Sequence, residues 1–265
     1  HFSVYQQNPD YIARFKKLGI AVNGWTANTP AEIGFLLAND AEFITTNEPE
    51  LAFEMEAKSP KSKGWKLVWS DEFGINGLPN AKNWGYDVGG GGWGNNEKQF
   101  YTDADTTNVI VKAGILNITA RKADKEKSNF TSARLTSKNK FDWKYGRMEV
   151  RALLPKGKGL WPAIWMLPTD WKYGGWPTSG EIDVMEHVGY SPDTVHGTVH
   201  TQSFNHTINT QVGKAIKVDD LGKQYHVYAV EWYEDRIDLF VDDVKYFTFK
   251  NSGKGVNEWP FDQKY

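Results

Sequence analysis

The segment Gly180-Glu181-Ile182-Asp183-Val184-Met185-Glu186-His187 sets three acids within six residues of an otherwise apolar run. An extended strand turns alternate side chains to one face, so Glu181 and Asp183 point together. Strict alternation would put Met185, not Glu186, on that face. One extra residue, taken up as a β-bulge at Val184 and Met185, returns Glu186 to the acidic side. The strand then packs Ile182 and one of Val184 or Met185 into a sandwich and carries three carboxyls on its other face. Glu181 and Glu186 can bring their carboxyl oxygens to the ~5–5.5 Å at which one acid attacks an anomeric carbon while the other protonates the leaving oxygen and later deprotonates water. Clustered like charges raise at least one pKa, which keeps a proton on the acid near neutral pH. Asp183, between them, can hydrogen-bond the nucleophile. Two blander readings compete, a charged edge strand and a hard-cation site. The flanking Ile182, Val184 and Met185 speak against the first. The second would want six to eight oxygens, usually from a loop.

Working outward, the rhythm from Trp65 to Tyr265 is one of short alternating segments separated by turns: 66–69, 108–112, 115–121, 133–137, 145–154, 163–167, 181–187, 194–201, 226–233, 236–241 and 244–249. Many short strands without a long helix predict a mostly β fold, a jelly-roll sandwich. On the strand after the acids, His196, Thr198 and His200 share a face, and His200 is the candidate neighbour of the acids. His187 should face the other way. No His pair has zincin spacing, so no metal is assigned. Trp161 and Trp165 fall on one face of the strand before the acids, and Trp176 lies on the loop entering the acidic strand. Asn96 and Glu97 follow a Gly-rich loop, 89–94, which lacks the Lys-Ser/Thr of a phosphate cradle. Arg134 is a further candidate for sugar hydroxyls. Arg147 serves equally well as an ion-pair partner of Glu149.

Residues 1–57 have a different rhythm. A strand is expected at 2–6, a helix opening at Asn8-Pro9-Asp10 and running to about Leu18, and a strand at 20–25. Thr29-Pro30 with Glu32 starts a second helix, followed by a strand at 41–45 and a helix at 48–56. This βαβα alternation implies parallel strands. Residues 58–64, polar and basic with Pro60 and Gly64, read as a linker. The expected organisation is therefore a small α/β segment (1–57), a linker (58–64) and a β-sandwich (65–265).

Of the 265 residues, 40% are apolar and 24% charged, and the net charge is −2, so a soluble globule is expected. The balance argues against nucleic acid or an anionic membrane as partner, and no stretch reaches the ~20 apolar residues of a membrane span. There is no cysteine, hence no disulfide, thiolate site or Cys nucleophile. Twelve Trp, twelve Tyr and fourteen Phe supply either a large aromatic core or indole platforms for pyranose rings. The chain opens at His1 with no basic-then-apolar leader.

From Trp65 to Tyr265 the sequence resembles glycoside hydrolase family 16, specifically its bacterial laminarinases. The resemblance rests on Trp69-Ser70-Asp71-Glu72-Phe73, Trp93-Gly94-Asn95-Asn96-Glu97, Tyr145 through Ala152, Trp161 through Pro168, Gly180 through His187, and His196-Gly197-Thr198-Val199-His200. It implies a curved jelly roll with a glycan cleft, and Glu181 as nucleophile, Asp183 as assisting acid and Glu186 as acid/base. Trp161, Trp165 and Trp176 would flank the sugar subsites, with Asn96, Glu97, Arg134 and His200 as further substrate contacts. The implied activity is retaining endo-hydrolysis of β-1,3-glucan by an extracellular or periplasmic monomer. No cofactor is required, and a structural Ca²⁺ is at most an accessory. The family continues beyond Tyr265 into a cleft wall and a final strand, so a truncated sandwich is expected. Residues 19–26 and 43–51 resemble the C-terminal end of a glycerophosphodiester phosphodiesterase barrel without its catalytic half, which implies a non-catalytic segment. Alternatives are a glycan-binding module, which has no need of three aligned acids, and a related glycanase acting on mixed-linkage glucan or galactan.

Overall fold

In the computed structural model, every residue except Pro9 is described. The chain divides into two units, His1–Lys140 and Phe141–Tyr265.

The first unit begins with helices α1 (Phe2–Gln7) and α2 (Asp10–Lys17), then β1 (Asn23–Gly24), α3 (Pro30–Ala38), β2 (Phe43–Ile44) and α4 (Pro49–Lys58). The expected strand at 2–6 is a helix. Alternation of Phe2 and Val4 suggested a strand, but the His1 side chain caps the Ser3 amide and Phe2 buries itself edge-on to Phe35. The expected helix start at Asn8-Pro9-Asp10 includes Pro9, which lies outside the described residues. α3 starts as expected, with Pro30 at its first turn and Thr29 and Glu32 forming a reciprocal capping box. The strands expected at 20–25 and 41–45 shrink to the parallel pair β1–β2, two residues each. Ile12, Val22, Ile33, Phe35 and Leu36 form the local core. Residues 58–64 fold as the end of α4 and a run of turns. The backbone of Gly74 lies so close to Gln6 that a Cβ there would stand 2.0 Å from the Gln6 carbonyl oxygen. The rest of the unit holds β3 (Gly85–Asp87), β4 (Gln99–Tyr101), β5 (Val109–Lys112), β6 (Ile115–Ile118), β7 (Arg121–Lys125), β8 (Ser128–Ser132) and β9 (Arg134–Thr136). They pair as β3–β9, β4-β8-β7 and β5–β6. The strand expected at 66–69 makes no ladder, and the one expected at 115–121 breaks between β6 and β7.

The second unit is built from β10 (Gly146–Ala152), β11 (Ala163–Met166), β12 (Glu181–Glu186), β13 (Thr194–His200), β14 (Val212–Lys217), β15 (His226–Trp232), β16 (Arg236–Val241) and β17 (Val244–Lys250). Two four-stranded antiparallel sheets result, β10-β15-β16-β17 and β11-β12-β13-β14. Their inner faces share one core. Ile182, Val184, Met185, Val195 and Val199 from one sheet meet Tyr228, Val230, Trp232, Leu239 and Phe247 from the other. Burying each such side chain stabilises the unit by roughly 1.5–3 kcal/mol before entropy is counted. Trp259, Phe261 and Tyr265 join this core, and the Tyr265 hydroxyl donates to the Ser179 carbonyl at 2.6 Å, just ahead of β12. No described helix is long and apolar enough to cross a membrane.

Candidate active site

β12 crosses the middle of its sheet, and its register shows how the acids come to one side. Against β13, Glu181 stands opposite His200, Asp183 opposite Thr198 and Glu186 opposite His196. Val184 and Met185 together oppose Gly197, so the register shifts between Asp183 and Glu186. This is the β-bulge expected from the sequence. Both bulge residues are buried in the core, Val184 at 0% and Met185 at 1% exposure, where the sequence reading placed only one of them. Gly197 is required here: a Cβ would approach the Tyr246 hydroxyl to 2.3 Å. That hydroxyl reaches the Val184 carbonyl at 3.5 Å, so the facing sheet supports the bulge. At the entry to β12, Gly180 has φ +85°, and a Cβ would crowd Tyr265, Pro260 and Phe261.

Directly opposed residues of an antiparallel pair share a face. Glu181, Asp183 and Glu186 therefore lie on one side with His196, Thr198 and His200. Trp165, opposite Asp183 on β11, is on that side too. Trp161 precedes β11, is 47% exposed, and its indole N–H donates to Glu186 Oε1 at 2.9 Å. The Trp176 indole donates to Glu181 Oε2. His200 Nε2 stands 3.3 Å from Asp183 Oδ2. His187 faces away, buried, with Nδ1 2.9 Å from the Thr194 carbonyl.

Burial is the main electrostatic fact. It pushes the Glu181 carboxyl up to about 8, helped by the neighbouring Asp183 charge and opposed by the Trp176 N–H. Asp183, fully enclosed, is pushed well above the ordinary carboxylate range by burial and then by Glu186. Glu186 is raised by burial and by Glu181, while the Trp161 N–H stabilises its anion. Three acids so placed cannot all ionise near neutral pH. Burial also holds the His200 imidazole below its ordinary value, so it is neutral at pH 7. The arrangement thus offers a carboxylate and a carboxylic acid side by side, each aimed by an indole N–H.

One donor atom each from Glu181, Asp183 and His200 can lie within 4.8 Å of one another. Two carboxyls that burial keeps toward the protonated form, with one imidazole, do not match the all-oxygen shell of Ca²⁺.

The first unit gathers the other candidates. Glu97 accepts from Gln99 at 2.6 Å, Tyr101 at 2.8 Å and Asn95 at 3.3 Å. Arg134 pairs with Asp87 at 3.0 Å and covers the Trp93 ring at 4.6 Å, and Trp93 packs edge-on to Tyr101. Asn96, with φ +57°, and Glu97 line a cavity of about 410 Å³ with Lys98, Lys127 and Phe130. Arg147, in the second unit, is structural: its side chain is 3% exposed and pairs with Glu149, Glu231 and Asp243. Sequence reasoning missed His206, on the 3₁₀ turn His206–Ile208, whose ring lies 4.9 Å from that of Trp176. Nothing in the local pattern Asn205-His206-Thr207 signals that contact, which is purely tertiary.

A family model, "Glycosyl hydrolases family 16", matches residues 96–265. The beta-glucanase of Rhodothermus marinus is 51% identical over 215 residues, covering 78% of this chain and 75% of that protein. A glucan endo-1,3-beta-glucosidase of Cryptopygus antarcticus is 39% identical over 216 residues, covering 76% of this chain and 77% of its own. Among solved structures, the laminarinase from Rhodothermus marinus superposes with a TM-score of 0.74 at 52% identity, covering 76% of this chain and 82% of that one.

Proposed function

The chain belongs to the glycosyl hydrolases of family 16, and on that footing we propose that it cleaves internal β-1,3-glucosidic bonds of laminarin-type glucans with retention, using Glu181 as nucleophile and Glu186 as acid/base. The observation that carries this reading is the bulge, which puts both glutamates on one face of β12, each with an indole N–H donor. In the first step the Glu181 carboxylate attacks the anomeric carbon while Glu186 gives its proton to the departing glycosidic oxygen. In the second step Glu186 takes a proton from water, and that water displaces Glu181 from the sugar. Asp183 lies between the two glutamates on the same face of β12, and in this reading it assists the nucleophile. His200, opposite Glu181 in the ladder, places its Nε2 3.3 Å from Asp183 Oδ2. No step runs through a metal or cofactor.

The glucan assignment draws on the printed names of the relatives, which are a beta-glucanase, a glucan endo-1,3-beta-glucosidase and a laminarinase. Trp161 and Trp165, on the acid side of the sheet, supply apolar faces for pyranose rings. Asn96, Glu97 and Arg134 belong to the same reading as hydroxyl contacts, supported by the preset Glu97 carboxylate and the Arg134–Trp93 stack. Residues 1–57 are read as a non-catalytic α/β segment, which the short parallel β1–β2 pair and its helices support. The test is product analysis on laminarin, lichenan and agarose side by side. Laminarin should be cut fastest, with a ladder of internal fragments. Cleavage confined to lichenan or agarose would overturn the linkage assignment, and binding without cleavage would mean a glycan-binding module.

A further inference from the structure

Two imidazoles pack against Trp176. Its indole ring lies 4.9 Å from His206 at an interplanar angle of 35°, and 5.9 Å from His200 at 54°. The two imidazoles meet edge to face, 5.3 Å apart at 89°. The same indole gives its N–H to Glu181 Oε2. A ring packed against Trp176 thus fixes the plane along which that N–H is aimed. His200 has other duties, facing Asp183 and lying opposite Glu181 in the ladder. His206 has none of these.

The turn bearing His206 is itself locked. Asn205, 2% exposed, donates its side-chain amide to the Thr201 carbonyl at 3.1 Å and the Gln202 carbonyl at 3.3 Å. Its carboxamide oxygen accepts from the Thr207 amide at 3.1 Å, and Asn209 closes the turn in the left-handed conformation. His206 is exposed, so this anchoring does not serve to bury its ring. What it does is hold an imidazole against Trp176.

We propose that His206 is a positioning residue for the nucleophile: by packing against Trp176 it keeps the indole N–H aimed at Glu181. The proposal rests on the reading of Glu181 as nucleophile. An oriented donor to a carboxylate favours its ionised form and fixes the attacking oxygen. Loosening the indole therefore raises the nucleophile's pKa and lowers turnover without touching ground-state binding of distant sugar units. The charged or titratable groups facing Glu181 are Asp183 and Glu186 from β12, His200 from β13 and Tyr265 from the C-terminal segment. His206 touches one of them, His200, edge to face, and His206→Phe keeps a ring at that contact.

The experiment compares wild type, His206→Ala and His206→Phe on laminarin across pH, with thermal melts of each. His206→Ala should lower kcat roughly tenfold with KM within about twofold, move the acid limb of the kcat/KM profile to higher pH, and leave Tm nearly unchanged. His206→Phe, which keeps an aromatic ring without a titrating nitrogen, should recover most of kcat and restore the acid limb. The proposal is overturned if His206→Ala keeps native kcat and acid limb, or if His206→Phe is as impaired as His206→Ala. Wild-type turnover separates the two levels: a wild type that releases no reducing ends from laminarin defeats the reading of function, whereas a wild type that cuts no better than His206→Ala defeats this proposal alone.

Discussion

Glu181 is asked to be an anion when it attacks, yet burial and Asp183 push its carboxyl up to about 8 from an ordinary 4.5. Between those values the native state keeps a proton that the unfolded chain has lost, so stability declines as pH rises through that window. Replacing Glu181 with Gln removes this cost while keeping the side-chain volume. Glu181→Gln should lose activity by ~10⁴-fold or more and should be more stable than wild type, by about 1–3 kcal/mol at pH 8 and by much less at pH 5. Thermal melts at the two pH values check this, and a variant less stable than wild type at pH 8 would contradict it. Glu186 is tuned from the other side, by the Trp161 N–H. Trp161→Phe keeps an aromatic ring but removes the donor, so the Glu186 pKa should rise and the basic limb of the kcat/KM profile should move to higher pH. A basic limb that stays in place would show that the indole N–H does not tune Glu186.

At the scale of elements, the bulge of β12 is the device on which the site depends. Deleting Met185 would leave Glu181, Asp183 and Glu186 in strict alternation on one face, whereas inserting one alanine after Met185 adds a second extra residue and turns Glu186 toward the core. Activity should fall by about 10³-fold or more, as for loss of a general acid. Lengthening a central, buried strand should also cost stability, so circular dichroism must show that the variant folds. Met185→Leu, which keeps the bulge, should stay active. A folded insertion variant with near-native rate would sink the bulge argument. This bulge was legible in the sequence because only one inserted residue reconciles three acids with an apolar strand. The strands of the second sandwich sheet were legible for a similar reason: Arg236–Val241 and Val244–Lys250 carry apolar residues facing the shared core. β3, β4, β8 and β14 were missed, as was β7 beyond Arg121. Ser128–Ser132 and Val212–Lys217 are mostly polar or exposed, and Gln99–Tyr101 is only three residues long, so their pairing is decided by neighbours and not by their own pattern. The helix at Phe2–Gln7 was misread because a capping His1 and a buried Phe2 outweigh a short alternation.

On the scale of the whole molecule, the change in composition and the division of the packing fall at different places. Composition breaks at 58–64, yet the two units part at Lys140 and Phe141, and Gln6 lies against Gly74 across the expected linker. A polar, Pro-containing stretch marks where a chain can be flexible, not where its packing ends. Trp259, Phe261 and Tyr265 pack into the sandwich core, and Tyr265 backs the entry to β12. Asn96, Glu97 and Arg134 stood out as candidates from the Gly-rich loop and a basic side chain, but the contacts they make with Trp93, Gln99 and Tyr101 are brought about by folding. The central claim, that Glu181 and Glu186 work as a retaining pair, is tested most directly by the anomer that the intact chain releases first. Retention requires a glycosyl-enzyme intermediate and two inversions at the anomeric carbon. Proton NMR during fresh hydrolysis of laminarin should show the β-anomeric signal rising first and the α signal following only by mutarotation; an α signal that appears first would contradict the account.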